Sequence, residues 1–404
     1  MMGANGLKTW TGALAVLVGG WCISANACTG LVVGRLASRT GHVIAAHNED
    51  NPAPHFVRHA LLPGGKNAPM FRQTGRAVLE QVENAYACFW SEVKSERAAP
   101  NPGDLFFNEK GVLIYSNNGG VRFNYDGVTW KLPDDGEYST LREGGLGHDL
   151  RLAVAQRAAS AREGVSVMTN LLARYGYAET GRIFTIADKD EAWLVQVVQG
   201  RRYVARRCPD REMAAYANAL TIGKLRPDDL CSANMQPKRD TLDFMGTYQG
   251  PRTWRVPFNF YRWRDIYRLA AQVDPDVSGA CPFSVVPQRL IDAEAIKCAL
   301  VSHGETITDV TPCRKHAADS TSGCAVVVCR PSTVESMICL FGDTPAETTL
   351  LLATGHPCET PYFAARPFAG ILPPGAVTGD AAIRRMLEHE KPSKVRDADV
   401  VAAK

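Results

Sequence analysis

The feature that most constrains this chain is the run of residues ending at Ala27, because it decides which residue opens the folded protein. Lys8 supplies a positive charge, Gly12-Ala13-Leu14-Ala15-Val16-Leu17-Val18 an apolar stretch, and Ala25-Asn26-Ala27 an A-x-A cleavage signal directly before Cys28. This is the pattern of a secretory leader, and its apolar part is too short to be a good membrane span. Removing residues 1–27 leaves 377 of the 404 residues, with Cys28 in front. A thiol and a free α-amine then share one residue. The amine titrates near ~7.7–8 and the thiol near ~8.5, so the amine can take the thiol proton at neutral pH without a histidine. Two other readings of Cys28 stand beside this one: an ordinary disulfide cysteine, or a lipidated thiol, although Ala25 occupies the place where lipidation prefers Leu.

Charge narrows the partners. Lys and Arg total 45 against 42 Asp and Glu, a net charge of +3 with the basic residues scattered, so no stripe for a polyanion forms and nucleic acid is not an expected partner. Of the 12 cysteines, Cys22 leaves with the leader and Cys28 is set aside. Cys88, Cys208, Cys231, Cys281, Cys298, Cys313, Cys324, Cys329, Cys339 and Cys358 remain, enough for up to five disulfides in an exported chain. Free buried thiols are the alternative for Cys88, Cys329 and Cys339, which sit in apolar runs. Paired C-x-x-C units are missing and the nine histidines are isolated, so neither a metal site nor a cofactor is expected.

Thr29 to Gly34 and His42 to His47 read as two strands joined by a tight turn, with Asn48-Glu49-Asp50 following the second. Gly111 to Ser116 reads as a strand ending in Asn117-Asn118-Gly119-Gly120, whose amides could point into a site. From Asp149 to Tyr175 the apolar spacing is helical, with a break expected near Glu163-Gly164. Arg182 to Ala187, Ala192 to Val198 and Arg202 to Ala205 form a meander whose middle strand is apolar on both faces and therefore covered on both. Gln249 to Arg255 reads as loop, and Tyr261 to Ala271 is again helical. Ala325 to Cys329, Ser336 to Phe341 and Thr348 to Ala353 read as strands. With no internal repeat or linker, residues 28–390 are expected to form one domain, followed by a polar tail from Lys391 to Lys404.

Taken together, these residues resemble the Ntn-hydrolase dipeptidases related to dipeptidase A and the secernins, in the clan of choloylglycine hydrolases and penicillin V acylases. The resemblance rests on Cys28-Thr29, Asn48-Glu49-Asp50, Phe107-Asn108-Glu109-Lys110-Gly111-Val112 and Gly145-Leu146-Gly147-His148-Asp149-Leu150-Arg151-Leu152-Ala153. It continues through Phe184-Thr185-Ile186-Ala187-Asp188, Glu191-Ala192-Trp193-Leu194-Val195, Ala217-Asn218-Ala219-Leu220-Thr221-Ile222 and Gly355-His356-Pro357-Cys358-Glu359-Thr360-Pro361. It implies an α+β, four-layer αββα sandwich, with two antiparallel sheets between helical layers and the nucleophile at the end of an inner strand.

The resemblance also implies roles. Cys28 would attack the scissile carbonyl and form a thioester while its own amine shuttles the proton. Asp50 would hydrogen-bond that amine. Asn117 or Asn118, with Asn218, would donate to the oxyanion or hold the amine, and Arg262 stands where related acylases carry an active-site arginine. His47 departs from the pattern, because relatives usually carry Arg there; it would meet substrate with a smaller, pH-dependent charge. The bland readings are a turn carboxylate for Asp50, turn formers for the asparagines and a solvated helix-face cation for Arg262.

Three functions follow as expectations: an exported dipeptidase acting on short peptides, a linear-amide acylase or acyltransferase, and a non-catalytic disulfide-stapled binding protein. The first takes a short peptide as its partner, needs no cofactor, and leaves a homo-oligomer open.

Overall fold

The computed structural model describes residues 28–51, 55–70, 77–95, 105–120, 144–249, 257–275, 282–307 and 326–383. The expected leader, the 391–404 tail, most of the Gln249–Arg255 loop and Cys22, Cys281, Cys313 and Cys324 lie outside the described residues.

The strands are β1 (Thr29–Val33), β2 (Ile44–Asp50), β3 (His55–Leu62), β4 (Cys88–Ser95), β5 (Leu105–Asn108), β6 (Leu113–Asn118), β7 (Tyr177–Ala187), β8 (Ala192–Gly200), β9 (Arg202–Arg207), β10 (Met213–Tyr216), β11 (Leu230–Cys231), β12 (Thr333–Leu340), β13 (Thr349–Thr354) and β14 (Phe363–Ala365). The helices are α1 (Leu150–Ala155), α2 (Ala161–Tyr175), α3 (Phe244–Tyr248), α4 (Pro257–Ile266) and α5 (Ala293–Leu300). The strands form a six-stranded sheet, β10-β1-β2-β12-β13-β14, and an eight-stranded sheet, β11-β9-β8-β7-β6-β5-β4-β3. Pairing within both is antiparallel.

Side-chain alternation sorts these strands into layers. Val32, Ala45, Tyr216 and Met337 of the six-stranded sheet meet Phe107, Leu113, Tyr115 and Leu194 of the eight-stranded one in a shared core. The opposite face of the eight-stranded sheet packs Ile114, Phe184, Trp193 and Val195 against Leu150, Val154, Val165, Met168 and Leu172 of α1 and α2. The outer face of the other sheet packs Leu31, Ile44, Ala46 and Ile338 against Trp263 and Ile266 of α4, the turn Tyr267–Ala271 that continues it, and Ile296, Ala299 and Leu300 of α5. The architecture is thus the four-layer αββα sandwich, and β8 is covered on both faces. β2 pairs with β12, so the two ends of the chain meet inside one sheet.

Several boundaries differ from the sequence reading. β2 runs on through Asn48-Glu49-Asp50, because Thr333, Glu335 and Ser336 of β12 continue the ladder. The helix break falls between Ala155 and Ala161, not at Glu163-Gly164. Ser160 caps α2 by accepting from the Glu163 N–H, and the Glu163 carboxylate accepts from the Ala159 N–H, so Glu163 is a start signal. Gly164 suits the helix because a Cβ there would come within 2.8 Å of Ile186 on the sheet beneath. Residues 326–329, expected to be a strand, are irregular: Val328 gives its carbonyl to the Asn48 side chain and Cys329 its N–H to the Ser302 carbonyl, leaving no ladder partner. Cys28, Cys88, Cys208, Cys231, Cys298, Cys329, Cys339 and Cys358 are free thiols, so the expected disulfides do not form among the described residues. Among those residues, no helix is long and apolar enough to cross a membrane.

Candidate active site

Strand alternation builds the site. On β1, Val32 faces the layer between the sheets while Leu31 and Val33 face the helices. Continued backward, this turns Cys28 toward the inter-sheet layer and Thr29 toward α4. On β2, Ala45 faces the same inter-sheet layer, so His47 and Glu49 follow it. The register pairs Thr29 with Asn48, and one further step sets Cys28 opposite Glu49. The Cys28 thiol accordingly donates to Glu49 Oε2 at 2.9 Å. The backbone N–H of Asp50 also reaches the sulfur. Burial, then the carboxylates of Glu49 and Asp50, push the Cys28 thiol well above its ordinary range. The resting sulfur is therefore protonated and needs a base to become a nucleophile.

α4 approaches from the other face. Arg262, fully buried, donates to the Cys28 carbonyl and Thr29 Oγ1, both at 2.9 Å, and to Asn218 Oδ1 and Asn259 Oδ1, both at 3.0 Å. Asn259 precedes Arg262 by one helical turn, so the two share a helix face. Asn218 Nδ2 donates to the Asn118 carbonyl at 3.1 Å, tying this frame to the end of β6 in the other sheet.

β6 supplies the opposite wall. Leu113 and Tyr115 face the inter-sheet layer, so Asn117 does too, while Asn118 falls on the helix-facing side. His47 Nε2 donates to Asn117 Oδ1 at 2.9 Å, which fixes the amide and leaves Nδ2 buried with no protein acceptor among the described residues. His47, expected to meet substrate, is itself 0 % exposed, and its ring lies 4.8 Å from that of Tyr115. Its hydrogen bond holds the Asn117 amide in place.

Asp50 lies at the end of β2, also fully buried. Its Oδ1 accepts from Thr333 Oγ1 at 2.6 Å, and its Oδ2 sits 3.9 Å from Arg330 Nε. Burial raises its carboxyl above the ordinary value, against the opposing pull of Arg330, Arg262, the Thr333 hydrogen bond and His47. Oδ2 accepts no hydrogen bond among the described residues, a position suited to an ammonium donor.

Cys28, Asp50, Asn117, Asn218, Arg262 and His47 are thus brought together, while Asn118 takes part through its carbonyl. Glu49 and Thr29 were read only as parts of motifs, without a role, and Asn259, Thr333 and Arg330 escaped the sequence reading. The alternation His47-x-Glu49 and the helical spacing Asn259-x-x-Arg262 were the available signals for two of them; Thr333 and Arg330 become neighbours of Asp50 only through β12. The sequence reading also passed over a cluster on β7. Arg182 donates to Glu179 Oε2 at 3.2 Å, and Glu179 Oε1 accepts from His148 Nδ1 at 2.7 Å. Arg182 lies close enough to Cys28 to feel the charge of its thiolate once that forms. Cys28, His47 and Glu49 also place their donor atoms within 4.8 Å of one another, a spacing that could hold a metal ion.

Comparison with known proteins bears on this arrangement. Residues 136–335 match the sequence profile of peptidase family C69. A probable dipeptidase B of Streptococcus pyogenes serotype M6 is 25% identical over 266 residues, 62% of this chain and 50% of that protein. A probable dipeptidase of Latilactobacillus sakei is 28% identical over 312 residues, 70% of this chain and 61% of that protein. The chain thus spans about half to three-fifths of the length of these relatives. Among solved structures, penicillin V acylase from Agrobacterium tumefaciens aligns with a TM-score of 0.36 at 12% identity, covering 84% of this chain and 85% of that one. The chain is thus similar to peptidase family C69 over the matched segment and to probable dipeptidases among its curated relatives.

Proposed function

We propose that this chain is an exported cysteine dipeptidase that hydrolyses the amide bond of dipeptides or very short peptides through an N-terminal Cys28. The observation that carries the reading is the setting of Cys28: its thiol sits on Glu49 at 2.9 Å, its carbonyl on Arg262 at 2.9 Å, and a buried donor, Asn117 Nδ2, remains in the same layer. The names of the curated relatives, probable dipeptidases, support the substrate class.

Cleavage after Ala27 frees the α-amine of Cys28. Because burial and the two carboxylates hold the thiol protonated, the amine has to remove that proton as the sulfur attacks the scissile carbonyl carbon. The C=O electrons move to oxygen, and Asn117 Nδ2 donates to the resulting oxyanion while His47 keeps its amide oriented. When the tetrahedral species collapses, the C–N bond breaks and the departing amine takes the proton from the α-ammonium, leaving a thioester. Water then adds to the thioester with the amine again as base, the C–S bond breaks, and the thiol regains its proton. Asp50 Oδ2 stabilises the transient ammonium.

The test is the intact mass and N-terminal sequence of the secreted protein, alongside turnover of a dipeptide panel and of N-acyl amides by wild type, Cys28→Ala and Cys28→Ser. A mature chain beginning at Cys28, with dipeptide hydrolysis abolished in Cys28→Ala, is the expected result. Turnover of N-acyl amides but not dipeptides would sink the peptide reading and leave the nucleophile standing. A retained leader with no turnover would sink both.

A further inference from the structure

Three soft-metal donors that are far apart in the chain converge near Asp50. His303 follows α5, Cys329 lies in the irregular segment before β12, and Cys358 in the turn between β13 and β14. A ring nitrogen of His303 and the sulfurs of Cys329 and Cys358 all lie within 4.8 Å of one another. Bond lengths of ~2.3 Å to sulfur and ~2.0 Å to nitrogen put tetrahedral zinc ligands roughly 3.5–3.8 Å apart, so closing on an ion requires the donors to approach one another by about 1.3 Å at most.

The surroundings fit the same reading. The backbone N–H of Cys358 donates to the Cys329 sulfur, and the Cys329 thiol donates to the Cys358 sulfur. The Cys329 N–H donates to the Ser302 carbonyl at 2.9 Å, which pins two of the converging segments together. Beside His303 stands Glu305, whose Oε2 accepts from the His303 backbone N–H at 2.8 Å and whose Oε1 lies 3.7 Å from the ring Nδ1. A carboxylate behind a histidine is how metal-bound imidazoles are oriented. A disulfide would use the two sulfurs alone and give no account of the imidazole and its carboxylate.

We infer that His303, Cys329 and Cys358 form a binding site for one zinc-class divalent ion, held by two thiolates and an imidazole with water in the fourth position. Binding releases two thiol protons per ion, and the imidazole enters neutral. The ion ties together the 302–305 loop, the 326–330 segment and the β13–β14 turn. Arg330 follows Cys329 directly and faces Asp50 Oδ2 at 3.9 Å, so the ion steadies the residue beside the proposed site carboxylate. The inference stands on this cluster alone, whichever substrate Cys28 serves.

The test is titration of the reduced, full-length protein with cobalt(II), then displacement by zinc(II). It is run on wild type and on Cys28→Ala, which removes the competing Cys28–His47–Glu49 group. One cobalt per chain is expected in Cys28→Ala, with thiolate charge-transfer absorption and tetrahedral visible bands. That absorption should vanish in Cys329→Ser and Cys358→Ser and survive in the exposed control Cys298→Ser. Glu305→Gln should weaken binding by about 10–100-fold. Should the serine variants fail to fold, zinc must protect Cys329 and Cys358 from alkylation in the unsubstituted protein, as read by peptide mapping. Absorption that persists undiminished in Cys329→Ser, no protection by zinc, or a Cys329–Cys358 disulfide in protein isolated without reductant would each overturn the inference.

Discussion

Two buried arginines, Arg206 and Arg262, have nearly the same exposure and opposite surroundings. Arg206 meets Asp229 as a fork, Nε to Oδ1 at 2.8 Å and Nη2 to Oδ2 at 2.6 Å, with a further bond to the Lys224 carbonyl. Arg262 donates to four neutral oxygens, a carbonyl, a hydroxyl and two amides. Charge neutralised at contact holds one strand to one loop and projects little beyond. Charge solvated by neutral dipoles still acts at a distance, and Arg262 is among the groups that favour ionisation of Asp50. The first arrangement holds the fold together; the second prepares a site.

The largest expected effect comes from breaking the second arrangement. Arg262→Met removes the field and leaves the Cys28 carbonyl and two amide oxygens short of a donor; we expect kcat to fall by at least about 10²–10³-fold. Arg262→Lys keeps the charge, loses the planar fork and should fall between the two. Steady-state rates on dipeptides, with circular dichroism to verify folding, decide it; a wild-type rate in Arg262→Met would sink the assignment of this arginine to the site.

Next in size is the structural arginine. Arg206→Met should cost about 3–5 kcal/mol in denaturant unfolding by stranding Asp229, and Arg206→Met with Asp229→Leu should recover most of it. The rate per folded molecule should not change in either variant.

Arg182 sharpens the comparison, because it pairs with Glu179 and still interacts with Cys28. Burial opposes the ionisation of Glu179, but His148, Arg182 and the Tyr177 hydroxyl outweigh it and hold the carboxyl well below its ordinary value. A depressed carboxyl contributes stability that is present above the unfolded value of ~4.3 and lost as pH falls through the folded one. Glu179→Gln should therefore lower stability at neutral pH and flatten its decline in acid. An acid limb as steep as that of wild type would contradict the ion cluster.

The smallest effect belongs to an exposed pair. Arg39 and Asp292 lie 3.3 Å apart with side chains 61% and 41% exposed, so Arg39→Ala should change stability by only about 0.2–1 kcal/mol and lose even that at high salt. Thermal melts at two salt concentrations measure it.

Particular residues show where sequence reading reaches its limit. Thr29 to Val33 and the Ala192–Val198 run are legible as strands because their apolar and β-branched content favours no other state. Glu163-Gly164 misleads, because a helix breaker by propensity sits where close packing on Ile186 calls for the smallest residue. The 326–329 run misleads in the other direction: its Val-rich composition suits a strand, but its backbone groups are taken by Asn48 and Ser302. In the site, the choice between Asn117 and Asn118 turns on which face of β6 looks inward, and that is settled by burial against the other sheet.

From the amino-acid sequence alone come the alternating strands, the two helical stretches and Cys28 as a candidate, since local periodicity and side-chain chemistry are written residue by residue; Asp50, Asn218 and Arg262 became candidates through the resemblance. Tertiary structure alone decides that Glu49 accepts from the Cys28 thiol, that Arg262 grips the Cys28 carbonyl, and that Thr333 and Arg330 flank Asp50. Each of those contacts depends on a sheet register or a layer contact linking residues 21 to 283 positions apart, and such pairing is fixed by the packing of whole faces, which no local window contains.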